Sequence, residues 1–260
     1  MFTAQRAAMS LAVVASVGLA LLALWGVSVA RRDVSIVDIF WGAGFALIAW
    51  VAYLQAAAPT ARGLLVAILA TIWGGRLALY LGWRNHGQPE DHRYQAMRAK
   101  TGPSFVWKSL YIVFGLQGLL MLVISLPLQA AMAADAPPLG PIEAAGALLW
   151  AVGLGFETVG DAQLARFKAD PANRGKVMDR GLWRYTRHPN YFGDFCIWWG
   201  FYLLAARVAP WTALSPALMS VLLLRVSGVT LLERTITARR PEYAEYIRRT
   251  PAFFPWRPRS

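Results

Sequence analysis

The residues with the most chemical capacity crowd into one short stretch. Gly181-Leu182-Trp183-Arg184-Tyr185-Thr186-Arg187-His188-Pro189-Asn190-Tyr191-Phe192-Gly193-Asp194 combines two Arg, a His, two Tyr, an Asn and an Asp. Arg184 and Arg187 could hold phosphate oxygens through paired N–H donors. His188 precedes a proline and is therefore biased towards an extended backbone, so its ring can be aimed rather than packed on a helix. Asn190 and Tyr191 add hydrogen bonds and a ring for stacking. The plainer reading is a membrane-interface girdle of Arg, Tyr and Trp. A girdle, however, has no need of Asp194 or of a His-Pro pair.

Other charged groups fit the same chemistry. Lys168 and Lys176 flank Asp170-Pro171-Ala172-Asn173-Arg174-Gly175, a basic loop suited to phosphates or to lipid headgroups. Several polar residues fall within or beside apolar runs, where a charge costs a few kcal/mol and demands a partner or a wet cavity. These are Asp38, the four-spaced Arg76, Tyr80 and Arg84, the pair Glu157 and Asp161, and Glu233. One pocket lined by several spans would satisfy them together; ion pairs such as Arg76 with Glu157 or Asp161 are the structural alternative. His86 and His92 are too isolated to make a metal site, and Cys196 is the single cysteine. Gly153-Leu154-Gly155 lacks both the spacing and the preceding strand of a dinucleotide fingerprint. A nucleotide cofactor would have to be held without a Rossmann fold.

These groups must be positioned by apolar helices. The chain has 260 residues, 57% of them apolar and only 15% charged, yet its formal net charge is +12; its mean hydropathy is +0.41. A soluble nucleic-acid binder would not need so much apolar sequence, and a disordered basic chain would lack 12 Trp and 12 Phe. A span of about 20 apolar residues is needed to cross the hydrocarbon. Ala7–Ala30, Ile36–Leu54, Gly63–Trp83, Phe105–Leu128, Ile142–Leu164, Tyr191–Ala206 and Leu214–Leu232 are the candidates. The expectation is an all-α polytopic membrane protein, one transmembrane domain of about seven helices with a cofactor pocket on the cytoplasmic side. The first span exceeds a signal-peptide core in length and is expected to remain uncleaved. Threaded this way, 21 of the 26 Lys and Arg share one side, which the positive-inside rule makes cytoplasmic. The N-terminus is then outside and the C-terminus inside. Pro241, Glu242 and Glu245 ahead of Arg248 and Arg249 predict a short surface helix in the tail.

The order of motifs carries a resemblance. Asp38-Ile39-Phe40-Trp41-Gly42, Glu90-Asp91-His92-Arg93-Tyr94, Gly160-Asp161-Ala162-Gln163-Leu164, the Gly181–Asp194 stretch and Trp198-Trp199-Gly200 together resemble the C-terminal domain of the steroid 5-alpha-reductase superfamily. The likeness runs over residues 30–256 and is nearest to a bacterial branch without assigned substrates. It implies a seven-helix reductase of the bacterial cytoplasmic membrane that takes NADPH from the cytoplasmic side, with the lipid bilayer and a lipophilic small molecule as partners and neither nucleic acid nor metal. By this resemblance Asp161, Lys168, Lys176, Asn190 and Asp194 fall at cofactor-binding positions, and Arg76 and Tyr80 match residues of the third helix. Arg184, Tyr185, Arg187, His188 and Tyr191 join them from the local chemistry, with Glu233, Arg234, Tyr243 and Tyr246 as further candidates. Steroid reductases place a Gln-Glu pair in helix two and a Tyr in helix three. Here Val37-Asp38 and Trp73 stand there, so the expected substrate is a steroid-like or other lipophilic enone.

The chemistry expected is hydride transfer from NADPH to a conjugated C=C bond while charge develops on the carbonyl oxygen. Asp38, protonated in its buried setting, would donate to that oxygen, with Tyr80 as the alternative donor. The rival is an S-adenosylmethionine-dependent methyltransferase. Arg-His-Pro-x-Tyr followed by Glu233 and Tyr243-Ala244-Glu245-Tyr246 also resembles isoprenylcysteine carboxyl methyltransferases, although their doubled Glu is replaced here by Leu232-Glu233. A lipid-binding scaffold ranks third.

Overall fold

The computed structural model describes residues 2–133, 137–226, 229, 233 and 242–259, with side chains from Leu11 onward. Its regular structure among those residues is entirely helical. The chain divides into two compact units, Met1–Leu139 with Arg207–Ala209, and Gly140–Ala206 with Pro210–Ser260.

The first unit opens with α1 (Phe2–Arg31), α2 (Ile36–Leu54) and α3 (Ala61–Asn85). Local signals set where they begin. Thr60 caps α3, its hydroxyl accepting from the Gly63 N–H at 3.0 Å, which satisfies a donor that the helix cannot. A polar helix, α4 (His92–Thr101), precedes a 3-10 turn, then α5 (Phe105–Ser109), a π-helical turn at Leu110–Gly115, α6 (Leu116–Ile124) and α7 (Leu126–Ala130). The sequence predicts one span over Phe105–Leu128. The structure instead breaks it at Ser125, because Pro127 has no N–H to continue the ladder.

The second unit holds α8 (Pro141–Ala169), α9 (Pro189–Ala205), α10 (Leu214–Val221) continuing into a π-helical turn at Leu222–Val226, and α11 (Tyr243–Arg249). Pro141 and Pro189 each open a helix, where the missing N–H costs nothing. The Glu143 carboxylate accepts from the Gly140 N–H at 2.8 Å. α11 is the tail helix expected from sequence, with Arg248 and Arg249 both paired to Glu245. Pro241, the expected start, lies outside the described residues.

Among the described residues, five helices are long and apolar enough to cross a membrane, at Leu11–Arg31, Ile36–Leu54, Ala61–Asn85, His92–Ile124 and Pro141–Ala169. They match the first five expected spans and point to a bilayer environment. α9 has 17 residues, or about 25 Å at the usual rise, short of a full crossing. The seventh expected span, Leu214–Leu232, lies partly outside the described residues.

Within each unit one helix pair meets through glycine. A Cβ added at Gly42 would stand 2.3 Å from the Gly74 carbonyl oxygen, so α2 and α3 touch backbone to backbone, with Phe45 and Trp73 buried beside the contact. α8 and α9 do the same: a Cβ at Gly193 would lie 2.5 Å from the Gly153 oxygen and 2.6 Å from the Glu157 nitrogen. Helices in lipid gain no water-driven attraction, so close packing of this kind holds them together. Gly193→Ala must push α8 and α9 apart, an overpacking cost of about 1–3 kcal/mol. Gly155→Ala, on α8 with nothing within 4 Å of the added carbon, should leave stability unchanged or raise it. Thermal unfolding of the two variants in detergent checks the difference.

Candidate functional site

In the first unit, the stretch Glu90–Tyr94 runs from a loop into α4 and clasps the corner between α1 and α2. The Glu90 carboxylate accepts from the Val34 N–H at 2.9 Å and from both Nε and Nη2 of Arg98. The Asp91 N–H donates to the Ser35 hydroxyl at 2.7 Å. Asp91 also caps α4, accepting from the Arg93 N–H at 2.9 Å. Burial pushes the Glu90 carboxyl up, but the hydrogen bonds from Arg98 and the Val34 N–H outweigh it and hold the group below its ordinary 4.5.

That clasp delivers two side chains to Asp38, in the first turn of α2. Arg93 Nη2 lies 2.7 Å from one carboxylate oxygen, and the Tyr94 hydroxyl donates to the other at 2.8 Å. Asp38 thus has one carboxyl oxygen on the Arg93 guanidinium and the other on the Tyr94 hydroxyl. Arg76 and Tyr80 occupy one face of α3 as expected. The Tyr80 ring has the Arg76 guanidinium 5.4 Å from its centroid and that of Arg84 at 5.9 Å. Arg93 and Tyr94 stand in the Glu90–Tyr94 motif, but nothing in the sequence links them to Asp38, 55 and 56 residues earlier.

The second unit gathers the rest. Arg187 is buried, 7% exposed. Its Nε and Nη2 donate to the two oxygens of Glu233 at 2.7 and 3.1 Å, and its Nη1 donates to the carbonyls of Ile247 and Thr250. The phosphate role expected of Arg187 is therefore corrected: its guanidinium is turned inward and spent on tying α9's entry to the tail. His188 Nε2 lies 3.0 Å from the same Glu233 oxygen, and its ring stacks on Tyr191 with centroids 5.5 Å apart. Tyr243 and Tyr246 pack beside this knot, both buried. Tyr246 donates to the Trp183 carbonyl, a structural contact. Burial and the nearby Glu233 push the Tyr243 phenol up to about 12. Asn190 donates to Asp161 at 3.3 Å, joining two residues expected together, while Asp194 is half-buried on α9. Arg184 and Tyr185 are exposed. Arg234 lies outside the described residues.

After α8 the basic loop folds around a cavity of about 370 Å³, lined by Lys168, Asp170, Asn173, Arg174 and Lys176 among others. Asp170 accepts from the Ala172 N–H at 2.9 Å, and Gly175 takes a φ of +84°, so the loop curls and presents three cations to one hollow. Lys168 and Lys176 are thus brought together as expected, with Arg174 added. Asp38, Arg76 and Tyr80 belong to the first unit and the remaining candidates to the second.

A family model described as a protein of unknown function, DUF1295, matches residues 24–250. The chain belongs to the DUF1295 family. That family is related to steroid 5-alpha-reductase-like proteins. The chain is similar to the uncharacterized protein C594.04c of Schizosaccharomyces pombe, 27% identical over 89% of this chain and 75% of that protein. It is also similar to the probable O-methyltransferase ustE of Ustilaginoidea virens, 43% identical over 58 residues, which cover 22% of this chain and 20% of that one. No solved structure matches. The DUF1295 match takes in both the Glu90–Tyr94 clasp and the Arg187–Glu233 knot.

The clasp has a pH signature. Glu90 is held below its ordinary value of 4.5, so its contribution is fully present above that pH and is lost as pH falls through the lower native value. Glu90→Gln should lower the unfolding temperature at pH 7, and the gap from the parent should narrow as pH falls below 4.5. A gap that stays constant from pH 7 to acid would remove Glu90 ionisation from the account.

Proposed function

We propose that this protein is a membrane-embedded NADPH-dependent reductase acting on the conjugated C=C bond of a lipophilic enone. The observation that carries this is the cavity behind α8, where Lys168, Arg174 and Lys176 face one hollow. Three cations with the Asn173 side chain at the rim suit the phosphates of a dinucleotide better than the single carboxylate of S-adenosylmethionine. NADPH held there would supply a hydride. The exposed Arg184 is a further phosphate donor, and the Asp161–Asn190 pair offers an amide and a carboxylate for a ribose or nicotinamide amide.

The first unit supports the other half of the reading. Tyr94 carries its proton on a hydroxyl hydrogen-bonded to the Asp38 carboxylate, and Arg93 fixes that carboxylate in place. When a substrate binds, the phenol would turn its single O–H from Asp38 to a carbonyl oxygen on which negative charge is developing, a contribution of about 2.7–4 kcal/mol in a dry site. Arg76 and Tyr80 remain the α3 residues assigned to the substrate. The bilayer setting suits an apolar substrate that arrives through lipid.

A second reading, an S-adenosylmethionine-dependent O-methyltransferase, is favoured by the partial likeness to ustE and by the Arg187–His188–Glu233 knot. The two readings part in a binding experiment. Full-length protein purified in detergent should bind NADPH, with Lys168→Gln and Lys176→Gln together weakening it at least tenfold and NADH binding more weakly than NADPH. Saturable binding of S-adenosylmethionine with no response to NADPH would instead select the methyltransferase. With an enone that the enzyme turns over, Asp38→Asn and Tyr94→Phe should each lower the rate of NADPH oxidation at least tenfold at unchanged NADPH affinity. Full turnover in both variants would remove this pair from catalysis.

A further inference from the structure

The segment after α11 is ordered, aromatic and turned outward. Its backbone is pinned at four points: the Trp256 N–H donates to the Tyr185 carbonyl at 3.0 Å, the Arg259 N–H to that of Arg249 at 2.8 Å, the Arg187 N–H to that of Pro251 at 3.0 Å, and the Thr186 hydroxyl to that of Phe253 at 2.7 Å. Phe253 points inward and packs against Phe195, with ring centroids 5.6 Å apart. Its neighbours do the reverse. Phe254 is 60% exposed, Trp256 75% and Tyr185 43%. Large apolar rings held outward by a fixed backbone, in a chain with five membrane-length helices, are surface meant for an amphipathic medium.

Beneath them is a slot of about 320 Å³ with an almost wholly apolar wall, made by Phe156, Leu182, Tyr185, Pro255 and Trp256, and with Arg257 at its edge. Phe156 lies on α8, 13 residues before Ala169, or about 20 Å along the helix axis. The slot therefore reaches alongside the apolar body of α8, while Arg257 and Arg259 are exposed beyond it. An apolar trough ending in a guanidinium matches one molecular shape, an acyl chain that ends in a phosphate. Arg pairs with phosphate through two parallel N–H donors, and Trp favours the headgroup depth.

We propose that this slot binds one anionic phospholipid of the surrounding bilayer, with an acyl chain along Phe156, Leu182 and Trp256 and the phosphate on Arg257. The site is separate from the cationic cavity behind α8, and lipid binding there does not depend on which cofactor that cavity takes. It makes the tail a lipid-reading element: the same strap that completes the shell around Arg187 is itself seated by a headgroup.

Native mass spectrometry of the full chain, released from detergent containing equal phosphatidylglycerol and phosphatidylcholine, tests this directly. The parent should retain phosphatidylglycerol about fivefold over phosphatidylcholine, the preference expected of one well-placed Arg. Arg257→Gln should bring the ratio to near one, Arg257→Lys should keep most of it, and Arg259→Gln, outside the slot, should leave it intact. Trp256→Ala should weaken retention of both lipids, since it removes a wall of the acyl trough. Glycerol 1-phosphate, a headgroup without a chain, should not displace the lipid. The proposal is overturned by equal retention of the two lipids in the parent. Equal losses in Arg257→Gln and Arg259→Gln, which would mean diffuse charge, overturn it too, as does displacement by glycerol 1-phosphate, which would mean a free-phosphate site.

Discussion

Backbone amides cannot be left unpaired where there is no water, and this constraint shapes everything else in the molecule. It makes the apolar segments helical, since only a helix pairs its own N–H and C=O groups within one segment. It also removes the usual reason for helices to associate, because hydrocarbon solvates a Leu side chain as well as another helix does. What remains is dispersion at short range, and short range needs residues with no side chain in the way. Gly42 against Gly74, and Gly153 against Gly193, supply it. Each contact fixes a pair of helices so closely that the polar groups on them acquire defined neighbours.

Polar groups then follow a common pattern in both units. A carboxylate is met by an arginine from a segment distant in sequence, and a ring is oriented as a result. Asp38 receives Arg93, which accompanies Tyr94. Glu233 receives Arg187, which accompanies His188. In each case the ion pair itself is poor evidence for stability, since desolvation of the partners offsets much of their attraction. Its effect is positional: the neighbouring phenol or imidazole is held at a set place and angle.

Much of this was legible in the sequence. Hydropathy marks the first five spans because length and apolarity are local properties, and Glu242, Glu245, Arg248 and Arg249 mark α11 for the same reason. The basic loop reads correctly as a cation cluster, since Lys168, Arg174 and Lys176 are near neighbours in the chain. Direction is what the sequence does not carry. Arg187 and Arg184 look alike on paper, yet one is buried in a knot of carbonyls and the other faces outward. Tyr94 is anonymous until the corner between α1 and α2 is folded against it. Pro127 is a sequence signal in plain view, and its helix break follows from the missing N–H alone.

The strap after α11 also bears on the order in which the second unit comes into being. α8 and α9 can pair as soon as both have been made, since their contact needs only glycine backbones. The surroundings of Arg187 and His188 cannot. Arg187 draws on the carbonyls of Ile247, Thr250 and Pro251, and Thr186 on that of Phe253, across 60 to 67 residues. During synthesis, therefore, the α8–α9 hairpin can form before the Arg187 guanidinium has met its acceptors. The imidazole beside it is set only once the segment through Phe253 has been made, so the α8–α9 scaffold precedes competence at this site.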